Sequence, residues 1–362
     1  MTRTRRPSPS TVNDRLLDRG VRHAIYVHRF GSGVVQETVG FLNENVFPDL
    51  LGRLQTRLEK IRLRGYDSGV TTTARYSGML GDVADIIAQG MDGAGAILKG
   101  RMRDLAKADA EWARRALDES TPKLLQVEFR GLDLRTVQTV ASQPIQGRPM
   151  EDWWSSLGDT TAKNLEQAIG TGLAQGETVD QLVARVRGTQ ARGYEDGILQ
   201  TTRRGAEAIV RTTTNHVSTQ AREQTYRENQ DVIKGVQWVS TLDTRTTPIC
   251  ISLDGQVFDI DEGPRPPAHW NCRSTTIPVT KSWRELGIMA KDADQSTRAS
   301  MDGQVPDTLT ANEWVDQQST ERQNQILGPG RARLWRAGRI DAGDLATASG
   351  HVATLAELER HG

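Results

Sequence analysis

Gly235-Val236-Gln237-Trp238-Val239-Ser240 is where the chain changes its period. Its apolar and polar residues alternate, the pattern of a half-buried strand. Before it, from about Thr201 to Asn229, Ala206, Ile209, Val210, Thr213, Val217 and Ala221 recur at helical spacing and predict a long helix. After it, the runs 249–253 and 256–260 flank Asp254-Gly255, a tight-turn pair, and predict a β-hairpin. Pro264, Pro266 and Pro267 impose an irregular extended loop. Residues 274–279 predict the last strand. Residues 151–280 therefore read as helices followed by a small antiparallel sheet, an α+β arrangement.

Upstream, Leu165, Ala168, Ile169 and Leu173 form a stripe that Gly176 breaks. Thr178-Val179-Asp180-Gln181 fits a capping box ahead of Leu182, Val183 and Val186. Gln143-Pro144 and Arg148-Pro149 mark loops and place a boundary near residue 150. Residues 12–63 read as helical, with Leu42, Val46, Leu50, Leu51, Leu54 and Leu58 on one stripe. Residues 81–97 and 104–117 predict two more helices, the second ended by Thr121-Pro122, and 125–129 a short strand. Residues 1–10 read as a disordered, basic, Pro/Ser-rich tail. Beyond Thr280 the chain turns polar, with weak helices expected over 311–327 and 331–337, separated by Gly328-Pro329-Gly330. The expected organisation is α+β in three parts. Residues 1–150 form a mainly helical region, 151–280 the helices and sheet, and 281–362 a polar, weakly helical extension.

Composition narrows the function. The 362 residues carry 46 Lys plus Arg and 46 Asp plus Glu, which excludes a wholesale polyanion binder. No stretch approaches the ~18 apolar residues of a membrane span, and no apolar run follows the basic N-terminus as a secretory signal requires. Two cysteines in so long a chain do not make a disulfide scaffold and fit a reducing cytoplasm.

Both cysteines, Cys250 and Cys272, and one histidine, His269, fall within a single short stretch. Thiolate and imidazole are preferred zinc ligands, and a structural zinc takes four donors. His269-x-x-Cys272 makes a knuckle, Cys250 a third donor and Asp243 a fourth. Three readings stand side by side: a structural zinc stapling the Pro-rich loop to the sheet, a Cys250–Cys272 disulfide, and two free buried thiols beside a hydrogen-bonded His. The His-x-Glu with Pro-Cys-x-x-Cys of the deaminases and the zincin His-Glu-x-x-His are both absent. Arg245 can pair with Asp243 or Asp254. Arg273 can neutralise thiolate charge or, through its planar fork, hold a phosphate. Arg53, Arg57, Lys60, Arg62 and Arg64 form either a solvated helix face or a basic surface for DNA or an acidic partner.

Taken together, Asp243, Arg245, Thr246 and Cys250, then Leu253, Asp254, Gly255 and Phe258, then Pro266, Pro267, His269, Asn271, Cys272, Arg273 and Ser274 resemble the phage Mu F-like minor head proteins, or phage head morphogenesis family. Ile209-Val210-Arg211-Thr212, Trp238, the run 300–306, Trp314 and Leu327-Gly328-Pro329-Gly330-Arg331 are similar to neighbouring family segments. The resemblance covers about residues 160–360, and residues 1–150 match only loosely. Ser274 stands where many members carry a further Cys, which removes one ligand.

The resemblance implies a minor capsid protein of a tailed bacteriophage, made in the host cytoplasm and carried in the virion, in the head interior or at the portal vertex. The partners it implies are the portal protein, a major capsid or scaffold protein, and packaged DNA. The roles it implies are head assembly, DNA packaging and DNA ejection, without enzymatic turnover. The competing classes are a metal-assisted hydrolase or nuclease centred on Cys250, His269, Cys272 and Asp243, and a host-directed effector packaged in the head.

Overall fold

A computed structural model describes residues 12–63, 70–123, 126–282, 297–306, 309–346 and 351–361. The expected N-terminal tail, Arg64 and Leu125 lie outside them. The chain divides into two compact units that interleave along the sequence. One holds residues 30–104 and 141–214, and the other residues 1–29, 105–140 and 215–362.

The 30–104/141–214 unit is helical. It takes the end of α1 (Val12–Phe41), a π turn (Leu42–Val46), α2 (Phe47–Leu63) and the first part of α3 (Val70–Ser120). It also takes α5 (Met150–Ala174), α6 (Val179–Arg187) and the start of α7 (Ile198–Glu228). Leu42, Leu50, Leu54, Leu58, Met79, Ile87, Met91 and Leu98 are buried, so the leucine stripe of residues 42–58 does face a core. Two separate helices were expected between residues 81 and 117, but α3 is one helix of 51 residues. Its interior glycines are points of contact rather than breaks. A Cβ at Gly90 would lie 2.5 Å from a Val46 methyl, and one at Gly93 2.6 Å from the Phe41 ring. The expected capping box at Thr178 and Gln181 is present in full and starts α6.

The other unit, which takes nearly all of α4 (Leu134–Ala141), is built on a sheet of three antiparallel strands in the order β2-β1-β3, with β1 Ile233–Val239, β2 Val257–Asp259 and β3 Thr275–Thr280. Val236 pairs with Phe258 on one side and Pro278 on the other, and Trp238 pairs with Thr276. Val236, Val239 and Ile277 pack with Leu16 and Leu17 of α1, Ala113 and Leu117 of α3, and Tyr226 of α7.

Two local expectations are corrected here. Residues 249–253 are not the first arm of a hairpin; they form helix α8 (Pro248–Leu253). Pro248 sits in its first turn, where a preset φ and a missing N–H suit a helix. The partner of β2 is β1, and the Asp254-Gly255 turn closes onto Trp238 through Gly255 N–H···O Trp238 at 2.9 Å and Trp238 N–H···O Gln256 at 2.9 Å. Residues 126–129 form no strand. Gln126 has a left-handed φ of 48°. The Asn229 side chain supplies the pairing a strand would have made, accepting from Arg130 N at 2.8 Å and donating to Arg130 O at 3.0 Å.

The described residues after 296 add a hairpin, β4 (Thr297–Ser300) with β5 (Gly303–Pro306), and the helices α9 (Ala311–Asp316), α10 (Thr320–Leu327), α11 (Pro329–Arg336) and α12 (Leu355–His361). Their polar sequence conceals a core. Trp314, Val315, Leu327, Leu334, Trp335, Leu345 and Leu358 are buried together with Leu242 and Ile251 from the sheet region. Both indoles are anchored to carboxylates, Trp314 Nε1 to Asp302 at 3.1 Å and Trp335 Nε1 to Asp316 at 2.6 Å. Among the described residues no helix is long and apolar enough to cross a membrane.

Candidate metal centre

Three side chains from two pieces of chain meet beside β1. Cys250 comes from α8, and His269 and Cys272 from the loop that leads into β3. Their ligand atoms all lie within 4.8 Å of one another. Cys250 Sγ is 3.2 Å from His269 Nε2 and 3.8 Å from Cys272 Sγ. The cysteines are buried and not bonded to each other. With Trp238 and Ile249 they form a small core, against which Leu253, Phe258, Ala268 and Ala346 pack.

Each donor is fixed through its backbone. The Cys250 carbonyl accepts from Ser240 Oγ at 2.6 Å, and that hydroxyl accepts from Trp238 Nε1 at 3.0 Å. The knuckle is a tight turn in which Cys272 N–H donates to the His269 carbonyl at 3.1 Å. Asn271 takes a left-handed φ of 59° to close it, a conformation Asn tolerates well. From α7, Asn215 Nδ2 holds the Cys272 and Ser274 carbonyls at 2.7 and 3.1 Å. The loop holding Pro266 and Pro267, which are joined by a cis peptide, is anchored by Arg265. Its guanidinium donates to the carbonyls of Asp259, Ile260, Glu262 and Pro264 and, through Nε, to Glu223 at 2.7 Å. Glu223 also accepts from Thr276 Oγ1 of β3 at 3.0 Å.

The electrostatics concentrate one negative charge on the pair of sulfurs. Cys272 is pushed down, first by its hydrogen bond with Cys250 and then, against burial, by His269. Cys250 is pushed up by the same hydrogen bond and by burial. Burial works to lower His269, but its contact with the Cys272 thiolate outweighs this and leaves it raised. A thiolate, a second thiol and an imidazole at these separations form a donor set suited to a soft divalent cation.

Asp243 is held elsewhere. Its carboxylate forms a two-pronged pair with Arg273, one prong at 2.6 Å, and accepts from Arg245 N at 2.9 Å. Burial raises its pKa, but the Arg273 guanidinium prevails and holds the carboxyl below the usual range. Arg273 is thus committed to Asp243 and does not reach for a sulfur. The Arg245 guanidinium is mostly exposed, 3.7 Å from Asp243. Asp254 follows α8 at its C-terminal end. Its buried carboxylate accepts from Ser240 N at 2.7 Å and from Ala311 N at 2.8 Å, which ties the end of β1 to the start of α9. Gly255 follows it at φ 78° and gives the turn its left-handed step. On α2, Arg53 lies 3.8 Å from Asp49 and Arg57 contacts Asp82 at 2.5 Å, while Lys60 and Arg62 are exposed. Sequence reasoning missed Asn215, Glu223 and Arg265, whose partners are 57, 53 and 42 positions away in the chain.

A three-stranded sheet backed by a long helix, with a buried Cys–His–Cys group where a short helix meets a proline loop, defines a small α+β domain able to hold a metal ion. Residues 163–277 match the family described as Phage Mu protein F like protein. The matched segment contains all three donors and is similar to the family that the motif resemblance implies. Neither a curated protein nor a solved structure matches the chain.

Proposed function

We propose that the protein is a minor head protein of a tailed bacteriophage, associated with the portal vertex inside the head, with a part in head assembly, DNA packaging or DNA delivery. The observation that carries this reading is the Mu F-like match over residues 163–277, which coincides with the helix, sheet and Cys–His–Cys group described above. On this reading its partners are the portal protein, a major capsid or scaffold protein, and packaged DNA, and its role is structural rather than catalytic. The apolar lining of the Cys–His–Cys group and the commitment of Asp243 to Arg273 support that role. The exposed Lys60 and Arg62 are the proposed contacts to DNA or portal, with Arg53 and Arg57 beside them and Arg64 just beyond the described residues.

The test is made on particles of the phage that encodes the chain. Heads are purified from infected cells, treated with nuclease and analysed by quantitative mass spectrometry beside heads from a nonsense mutant of this gene. The expected result is a few copies per wild-type head, co-isolation with the portal after gentle disruption, and mutant heads defective in assembly or DNA content. A chain absent from purified heads overturns the proposal.

A further inference from the structure

The Cys250–His269–Cys272 group has the shape of a coordination sphere. Tetrahedral zinc, with Zn–S near 2.3 Å and Zn–N near 2.0 Å, sets two sulfurs about 3.8 Å apart and a sulfur and a nitrogen about 3.5 Å apart. The corresponding separations here are 3.8 and 3.2 Å. The imidazole is also turned for the task. His269 Nδ1 donates to the Trp270 carbonyl at 2.8 Å, which leaves the Nε2 lone pair facing the sulfurs. Metal-bound histidines are regularly oriented by such a carbonyl.

We infer that this group is a three-donor zinc site and that Asp243 is not its fourth ligand. Among the described residues the cluster of ligating groups stops at three. The Asp243 carboxylate, the one candidate for a fourth, is occupied by Arg273 and the Arg245 N–H. The protein thus supplies three donors, and the fourth position of a tetrahedral ion is left to a water. The site is a staple: Trp238, Ile249, Leu253, Phe258 and Ala268 pack around its two cysteines, while His269 is half-buried. It also reaches further than its own loop. Ile251, the residue after Cys250, belongs to the core of helices α9–α12, and Ala346 packs against the group itself. This inference stands apart from the assignment to the head.

The test uses the full chain, expressed with added zinc and purified with a phosphine reductant. Zinc is measured by elemental analysis. Metal-free protein is then titrated with Co²⁺ and followed by absorption. The expected result is about one zinc per chain, thiolate-to-cobalt charge transfer with tetrahedral visible bands, and a spectrum that shifts when a small thiol replaces the water. Cys272→Ser and His269→Gln should bind cobalt at least about tenfold more weakly, whereas Asp243→Asn should bind like the parent. Reduced, folded parent protein with neither zinc nor cobalt bands overturns the site, as does a mass two hydrogens low that reveals a Cys250–Cys272 disulfide. An Asp243→Asn protein that loses the metal, or a spectrum unmoved by thiol, overturns the three-donor arrangement. These last readouts do not depend on whether the ligand variants fold.

Discussion

Around Gly90 and Gly93 the protein removes side chains so that Val46 and Phe41 can come close; around Glu223 and Arg222 it buries ionic groups and satisfies each one. The helical unit depends on volume. Its interior is Leu, Met, Ile and Trp, fitted against notches of glycine. The sheet-bearing unit depends on partners. Arg222 donates to the Thr276 carbonyl at 2.9 Å, Thr225 to the Ala221 carbonyl at 3.0 Å, and Asn229 to the Thr225 carbonyl at 2.7 Å, all buried on α7 or just past its end. The two interiors should therefore fail differently, one to added bulk and the other to a lost partner.

The largest effect is expected at Arg265. Arg265→Met removes one half of a buried ion pair, and such losses cost about 3–5 kcal/mol because the remaining charge is left unpaired. Glu223 is almost fully buried, and burial already pushes its carboxyl up against the opposing pull of Arg265. Chemical denaturation should show the midpoint falling sharply, and Glu223→Gln placed on the Arg265→Met background should restore part of the loss. A midpoint within experimental error of the parent would remove the claim that this unit depends on its polar pairs.

The second effect is pH dependence from His216. Burial pushes its pKa down to about 4 from 6.5, so the native state holds it neutral. Between those values the unfolded chain binds a proton that the native state refuses. The stabilisation is complete above about pH 6.5 and is lost as the pH falls towards 4, by roughly 3 kcal/mol over the window. In His216→Gln the fall in stability between pH 7 and 4 should be smaller by that order. An unchanged acid slope would mean that the ring titrates normally.

Next comes bulk in the helical unit. Gly90→Leu drives atoms into Val46 and should cost about 1–3 kcal/mol, as overpacked cores do. Gly100 meets nothing within 4 Å and is exposed, so Gly100→Ala should instead gain about 0.5–1 kcal/mol of helix propensity. Thermal midpoints moving in opposite directions would sharpen the contrast, and two losses of equal size would break it.

The polar unit was the less legible of the two. The strands around Trp238 and Ile277, the cap at Thr178, and the meeting of Cys250, His269 and Cys272 follow from alternation, capping chemistry and ligand chemistry, which are all local. Helix α8 did not, because Ile249, Ile251 and Leu253 alternate like a strand and only Pro248 hints otherwise. Glycine in α3 reads as a break until Val46 and Phe41 are seen filling the space. Asn215 and Arg265 act on backbone carbonyls, which leave no mark in a sequence. Asp243 lies near the donors in sequence, and Arg273 pairs with it in space.

The π turn at Leu42–Val46 carries a consequence of a different kind. A turn of this type accommodates one residue more than an α-helix would, and each residue rotates a helix by about 100°. Leu50, Leu54 and Leu58 face inward only because that extra step has been taken. Deleting one residue from the turn would keep every leucine in the sequence and swing all three by about 100° away from the core.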